Sequence, residues 1–324
     1  MYNRAIVFSR EPEICSLINY YKYSNQYIIT AFVFEDEQTD ILTKESNIPI
    51  IKTTEVDYKG FDTVLTLSKE DLIHPFIKNC IKNGKEILGM ENSEEIGYEF
   101  LEKIDEDNSI RVPIVIIAGV SRYTEKFLVQ LILRDKLIKD GYRVSIIGNR
   151  RYGSLFGIHP FPPFMMDAID NEKRILLFQK YVKMIEENEN PELILICIPG
   201  GVTPISKRHH FDYGTTAYLV SQAIDPDYVI MNLLYNNYTD EELDEIRKLC
   251  LYRFNYKIDC FHLSGTLIDP MSLKESKLKY IRIEKAKRER QVDNLYDLTN
   301  PEDADIMYES MIDRLSSYNV NQLL

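Results

Sequence analysis

The sequence lacks several features that would assign it to a familiar class. Its 324 residues include no tryptophan and only five cysteines, none of them in a CxxC pair, so a disulfide framework is not expected. The five histidines form no HExxH motif, and we predict no metal site. The longest apolar stretch, residues 112–120, is far shorter than the roughly 20 residues that a membrane-spanning helix needs.

Basic residues are also fewer than acidic residues. The chain carries 39 basic and 51 acidic residues, a formal net charge of −12, which disfavours a nucleic-acid partner because phosphate contacts need clustered Lys and Arg. The N-terminus runs directly into a strand-like segment and shows no signal-peptide core. Together these absences predict a cytoplasmic protein that binds neither nucleic acid nor membrane.

What the sequence does contain is an alternation of short apolar segments and amphipathic ones, which is typical of parallel sheets packed against helices. The acidic, poorly apolar stretch 91–109 predicts a connection between two domains. We predict an α/β protein with a Rossmann- or flavodoxin-like parallel sheet at 1–108, a second parallel-sheet domain at 109–292 and a C-terminal amphipathic helix at 293–324. The first domain has no GxGxxG pattern, so a dinucleotide cofactor is not expected there.

The most informative segment is the loop between the apolar stretch 111–118 and a predicted helix at 126–139. It consists of Gly119, Val120, Ser121, Arg122, Tyr123, Thr124, Glu125, Lys126 and Phe127. A loop between a buried strand and a helix N-terminus can present backbone N–H groups to an anion, and a lysine in the first helical turn can reach phosphates. This segment, the 119–127 loop, therefore indicates phosphate binding.

The 119–127 loop departs from the usual phosphate-binding pattern at three points. Phe127 stands where a Ser or Thr would hold magnesium, Glu125 stands where a glycine would precede the lysine, and the spacing is one residue longer. The same residues also fit a plain strand-to-helix connection with an exposed lysine.

A second turn favours phosphate binding. Pro199, Gly200 and Gly201 follow the apolar stretch 193–198, at the place where the second nucleotide-contacting strand of a P-loop domain would end. Glycines at this edge allow the backbone to approach a ligand closely, although a Pro-Gly-Gly triplet can also serve only to turn the chain. We include Gly200 and Gly201 in the candidate site.

Six segments between residues 126 and 223 form a set with a known counterpart. They are Lys126-Phe127, 133–137 (LRDKL), 145–150 (SIIGNR), 159–162 (HPFP), 198–201 (IPGG) and 217–223 (AYLVSQA). Together they resemble the clostridial natural-product peptide maturation system proteins of bacteriocin-like pathways. The resemblance covers most of the chain and implies a precursor peptide and a radical SAM maturation enzyme as partners, but it implies no particular reaction.

The second domain more distantly resembles P-loop proteins of the dethiobiotin synthetase and nickel-insertion GTPase type. This resemblance implies a P-loop-NTPase-like parallel sheet, ATP or GTP as the ligand, and a homodimer. The missing Ser or Thr after Lys126 predicts weak or no nucleotide hydrolysis.

Three functional hypotheses follow. The leading one is an accessory protein of peptide maturation that binds a nucleotide or another phosphate ligand at the 119–127 loop. The second is a non-enzymatic scaffold that binds the precursor peptide or the radical SAM enzyme. The third is an ATP-dependent, ligase-like enzyme, for which Glu125 or Asp167 would have to bind magnesium. None of the three assigns a catalytic residue.

Overall fold

The structure is a computed structural model, and it describes residues 3–10, 14–18, 27–35, 48–90, 109–283, 285 and 292–321. The predicted connection at 91–109 lies outside these ranges except for its last residue. The chain divides into two compact units, Met1–Glu95 with Arg150–Pro160, and Ile96–Asn149 with Phe161–Leu324. The domain boundaries given above stay a prediction.

Strands and helices alternate along both units. The strands are β1 (Asn3–Phe8), β2 (Tyr27–Phe34), β3 (Ile50–Lys52), β4 (Thr63–Thr66), β5 (Glu86–Gly89), β6 (Ile114–Gly119), β7 (Val144–Gly148), β8 (His159–Pro160), β9 (Leu193–Cys197), β10 (Tyr228–Leu233), β11 (Cys260–Leu263), β12 (Thr266–Ile268), β13 (Tyr280–Arg282) and β14 (Leu295–Tyr296). The α-helices are α1 (Ile14–Leu17), α2 (Pro75–Lys82), α3 (Lys126–Lys139), α4 (Asn171–Glu189), α5 (Thr215–Ala223), α6 (Asp240–Phe254) and α7 (Pro301–Asn321).

The first unit is built on a five-stranded parallel sheet in the order β3-β2-β1-β4-β5. This is the order of the first five strands of a Rossmann sheet and not the flavodoxin order, in which the third strand lies beside the first. Its core contains buried apolar side chains from β1, β2 and β4, including Phe8, Val33 and Val64.

Six strands of the second unit form an all-parallel sheet in the order β14-β11-β10-β6-β9-β7. All residues of β6 are buried, as expected for an Ile- and Val-rich central strand. The chain moves from β6 to β7, returns to β9, and then crosses to β10 on the other side of β6. The carboxyl end of β6 therefore lies where the strand order reverses, the usual ligand-binding position in such sheets. The predicted α/β fold class with two parallel sheets is confirmed.

Helix α3 starts directly after the 119–127 loop, and its residues from Lys126 to Arg134 are buried without a break. Near the other end of the chain, α7 begins at Pro301, later than the predicted start at residue 293. The reason is that β14 pairs with β11 and that Asn300 and Pro301 provide a helix start, with the Asn300 side chain accepting the Glu302 N–H. Within the described ranges, no helix combines the length and the apolar character needed to cross a membrane.

Candidate functional site

The carboxyl ends of three neighbouring strands form one edge of the second unit's sheet. Gly119 at the end of β6 is paired in register with Asn232 of β10, and Asn232 is paired with His262 of β11. Asn232 and His262 are both fully buried. Two polar side chains therefore stand side by side at the point where the chain leaves β6 and enters the 119–127 loop.

The turn after β9 hydrogen-bonds directly to the start of the 119–127 loop. The Val202 N–H donates to the Gly119 carbonyl at 2.9 Å, and the Thr203 hydroxyl donates to the Val120 carbonyl at 3.3 Å. Gly200 has a positive φ of 79°, which suits a residue without a Cβ, and Gly201 is buried. The structure thus brings together the two segments that the sequence analysis selected separately.

The ammonium group of Lys126 lies inside the loop. Its Nζ donates to the carbonyls of Ser121 and Gly200, both at 2.8 Å, and contacts the Thr124 hydroxyl at 3.4 Å. The side chain is only 3% exposed, which contradicts the alternative of an exposed lysine on a plain connection. Gly119 makes room for this arrangement, because a Cβ there would lie 2.5 Å from Thr124 Oγ1 and 3.1 Å from Lys126 Nζ.

Three backbone N–H groups of the loop find no acceptor among the described residues. The Val120 N–H donates to the Asn232 carbonyl at 3.0 Å, whereas those of Ser121, Thr124 and Glu125 donate to nothing within the part of the chain that the structure describes. They precede the N-terminus of α3, where the helix dipole favours negative charge. This arrangement fits the anion-binding loop expected from the sequence.

Glu125 occupies the bend that leads into α3. Its backbone is left-handed, with φ 59° and ψ 17°, a conformation that costs an L-residue about 1 kcal/mol or more and that a glycine would adopt freely. Its carboxylate is turned away from solvent, and Oε2 accepts hydrogen bonds from His262 Nε2 at 3.1 Å, Gly265 N at 3.2 Å and Lys285 Nζ at 3.2 Å. Burial by itself raises the pKa of Glu125, but the His262 and Gly265 hydrogen bonds and the Lys285 charge outweigh it and lower the pKa to about 2.

His262 is a neutral donor to this carboxylate. The Leu298 N–H donates to His262 Nδ1 at 3.1 Å, so Nδ1 carries no proton and Nε2–H is the group that faces Glu125. Burial lowers the pKa of His262 against the opposing effect of Glu125, and the Lys285 charge adds to the lowering. Lys285 also contacts Asp297 Oδ1 at 2.6 Å, which completes a chain of buried and half-buried charges behind the loop.

The tip of the loop carries exposed side chains. Arg122 is exposed, and Tyr123, with φ 57°, packs its ring against Tyr280 of β13 at a centroid distance of 4.8 Å. The Tyr280 hydroxyl lies 3.1 Å from Ser121 Oγ. The β12–β13 hairpin thereby supports the loop tip, a contact that the sequence did not predict.

Magnesium chemistry has little support at this loop. Phe127 is buried in the position where a hydroxyl would be needed, and the Glu125 carboxylate is engaged by His262, Gly265 and Lys285. Among the residues that the structure describes, no three His, Cys, Asp or Glu side chains lie together so that they could hold a metal ion. The loop offers an ammonium group and backbone amides, and both kinds of group can bind an anion.

Comparisons with known proteins give remote likenesses only. No protein-family profile matches the chain, and no curated protein matches it. Similar solved structures include a duf1611 family protein from Anabaena variabilis, with 13% identity, 85% of this chain and 91% of that chain covered, and a TM-score of 0.49. The signal recognition particle receptor FtsY from Elizabethkingia anophelis has 11% identity, with 51% of this chain and 54% of that chain covered, and gives a TM-score of 0.32.

A pseudomurein peptide ligase type C from Methanothermus fervidus has 12% identity, covers 80% of this chain and 44% of that chain, and gives a TM-score of 0.30. At such identities and TM-scores, these likenesses carry no argument about activity, ligand or partner.

Sequence reasoning missed four residues that shape the site, namely Asn232, His262, Tyr280 and Lys285. Asn232 and His262 had a usable signal, because each is a polar residue near the end of an otherwise apolar strand. Tyr280 and Lys285 had none, since they reach the loop only through the hairpin and the chain that follows it.

Proposed function

We propose that the 119–127 loop of the second unit binds the phosphate groups of a nucleotide, and that it does so without requiring magnesium. The observation that carries the proposal is the group of acceptor-free amides at Ser121, Thr124 and Glu125 beside the buried Lys126 ammonium. Amides at a helix N-terminus and a cation are the groups that bind phosphate in proteins. Lys126 can exchange its carbonyl partners for phosphate oxygens without moving out of the loop.

The test is isothermal titration of the full chain with ATP and with GTP, each with and without magnesium. We expect binding of at least one nucleotide, an affinity that magnesium changes little, and a loss of about tenfold or more in Lys126→Ala because a charge-assisted contact is removed. Lys139→Ala is the matched control, since it removes the same charge from an exposed position at the far end of α3. Absence of heat with both nucleotides would refute the proposal.

We further propose that this phosphate site belongs to an accessory protein of a peptide maturation pathway, as the sequence resemblance implies. The pathway assignment is supported by the motif segments alone. The buried Phe127 bears on a different point, since it favours a binding role over nucleotide hydrolysis. The measurement is whether a precursor peptide and a radical SAM enzyme co-purify with the chain. Recovery of neither one would remove the pathway assignment while leaving phosphate binding untouched.

A further inference from the structure

The residue before Lys126 combines an unfavourable backbone conformation with an unusually well-held side chain. Glu125 is left-handed at φ 59°, where most L-residues are disfavoured, yet the residue is only 8% exposed. An anionic side chain next to an anion-binding loop would oppose its ligand unless its charge were directed elsewhere and compensated. Both conditions are met in this structure.

The compensation comes from the β11 side of the sheet. Oε2 accepts from His262, Gly265 and Lys285, and the Arg282 guanidinium lies 3.8 Å from Oε1. Because His262 is neutral, the positive charge near the carboxylate comes from Lys285 and Arg282. Glu125 therefore adds no uncompensated negative charge to the loop, and its carboxylate faces β11 instead of the free amides.

The register of the sheet holds the two residues before Lys126 at adjacent points. Asn232 Nδ2 donates to the Thr124 carbonyl at 2.8 Å, and His262, its register partner on β11, donates to Glu125. Adjacent strands thus fix both the backbone of Thr124 and the side chain of Glu125. Since the Thr124 carbonyl and the Glu125 N–H belong to one peptide plane, fixing these two points sets the direction of the Glu125 amide and the start of α3.

We infer that Glu125 is a positioning residue, whose carboxylate, tethered to His262, Gly265 and Lys285, holds the 119–127 loop in its ligand-binding shape in place of the usual glycine. The inference rests on the proposed phosphate site. A glycine makes the bend easy but leaves it free to move, whereas the tethered glutamate fixes the bend before the ligand arrives. Preorganisation of this kind increases affinity because less ordering is needed on binding.

The experiment compares Glu125→Asn, Glu125→Gln and Glu186→Gln in the full chain, with ATP and inorganic pyrophosphate as titrants. Asparagine tolerates the left-handed region but is one methylene shorter, so it keeps the bend and loses the tether. Glutamine keeps the length and one acceptor oxygen. Glu186 is the matched control: it is similarly buried and accepts from Lys183 and from the amides of Arg111 and Val112, before the start of β6 at the other end of the strand.

We expect Glu125→Asn to weaken binding of either titrant by about tenfold or more, Glu125→Gln to restore part of it, and Glu186→Gln to bind as the wild type does even though it is less stable. If Glu125 had only a structural role, Glu125→Asn and Glu186→Gln would both be less stable than the wild type, but the two variants would bind the titrants with the same affinity. Wild-type affinity in Glu125→Asn would overturn the inference.

Hydrogen exchange of the ligand-free protein gives a readout that does not need the proposed function. The reporters are the Val120 amide, bonded to the Asn232 carbonyl, and the Val129 amide, bonded to the Glu125 carbonyl at 2.9 Å. We expect both to exchange faster in Glu125→Asn and to be unchanged in Glu186→Gln. If wild-type protein binds no phosphate but this pattern holds, the proposed function fails and the positioning role stands. If exchange is unchanged in Glu125→Asn, the positioning role fails.

Discussion

Two neighbouring residues of opposite charge have different tasks in the 119–127 loop. Lys126 turns into the loop and binds the carbonyls of Ser121 and Gly200, while Glu125 turns out of it toward His262 and Lys285. Had the two side chains paired with each other, the cation would be neutralised at the place where we propose that an anion binds. Their separation keeps the positive charge next to the free amides.

The buried carboxylate predicts how stability depends on pH. The pKa of Glu125 is about 2 in the folded chain against an ordinary value of 4.5, so its stabilising contribution is present above pH 4.5 and is lost as pH falls toward 2. We expect Glu125→Gln to lower the free energy of unfolding most at pH 7 and progressively less below pH 4.5, as measured by urea denaturation across pH 3–7. A difference that does not change with pH would contradict the assignment.

The lowered pKa of His262 acts in the same direction but at a higher pH. Below about pH 6.5 the imidazole of His262 becomes protonated in the unfolded chain, whereas burial opposes its protonation in the folded chain. The free energy of unfolding therefore falls as the pH is lowered below that value. We expect His262→Gln to flatten the stability profile between pH 7 and pH 5. A stability profile that is the same in His262→Gln as in the wild type would contradict this assignment.

At the scale of elements, the strand-to-helix connection depends on one missing side chain. A Cβ on Gly119 would lie 2.5 Å from Thr124 Oγ1 and 3.1 Å from Lys126 Nζ, so Gly119→Ala must displace one of them. We expect a loss of about 1–3 kcal/mol in the free energy of unfolding together with weaker nucleotide binding. In Gly153→Ala the new Cβ meets its nearest neighbours at 3.4 Å, an ordinary contact, and both quantities should stay close to wild type. Equal effects in the two variants would argue against a special role for Gly119.

Most elements were predictable because their apolar periodicity is strong. The predicted helix at 126–139 coincides with α3, and the segments selected as strands before and after it lie on β6 and β9. The hairpin β12–β13 and the short strand β14 were not predicted. These strands are only two or three residues long and carry no apolar run of their own. β14 forms because it pairs with β11, and β12 and β13 form because they pair with each other.

At the scale of the whole molecule, each of the two units contains a buried core and the proposed site lies entirely in the second unit. We expect the two units to unfold as separate components. A ligand that binds only the folded second unit stabilises that unit by about 2.7 kcal/mol when present at a hundred times its dissociation constant. In differential scanning calorimetry, we expect ATP to raise one unfolding component and to leave the other in place.

Lys126→Ala should reduce the shift by about half or more, because a tenfold weaker affinity leaves about 1.4 kcal/mol of stabilisation at the same ATP concentration. Sodium chloride at the same ionic strength should not reproduce the shift. A shift of both components, or one that is as large in Lys126→Ala as in the wild type, would mean that the nucleotide binds outside the 119–127 loop.

The sequence by itself determined the α/β class, the parallel character of both sheets and the position of the loop, because buried parallel strands and amphipathic helices leave regular apolar patterns. It also predicted that Lys126 and the Gly200 turn lie together, since both follow strands whose carboxyl ends share an edge, and Lys126 Nζ does reach the Gly200 carbonyl.

Only the tertiary structure decided that Lys126 is buried within the loop and that Glu125 faces β11. It also decided the Rossmann order of the first sheet and the role of His262, Asn232 and Lys285 behind the loop. The reason is physical: Lys126 binds a carbonyl 74 residues away at Gly200, and the partners of Glu125 are more than a hundred residues away in the chain. No local pattern of residues records such partners.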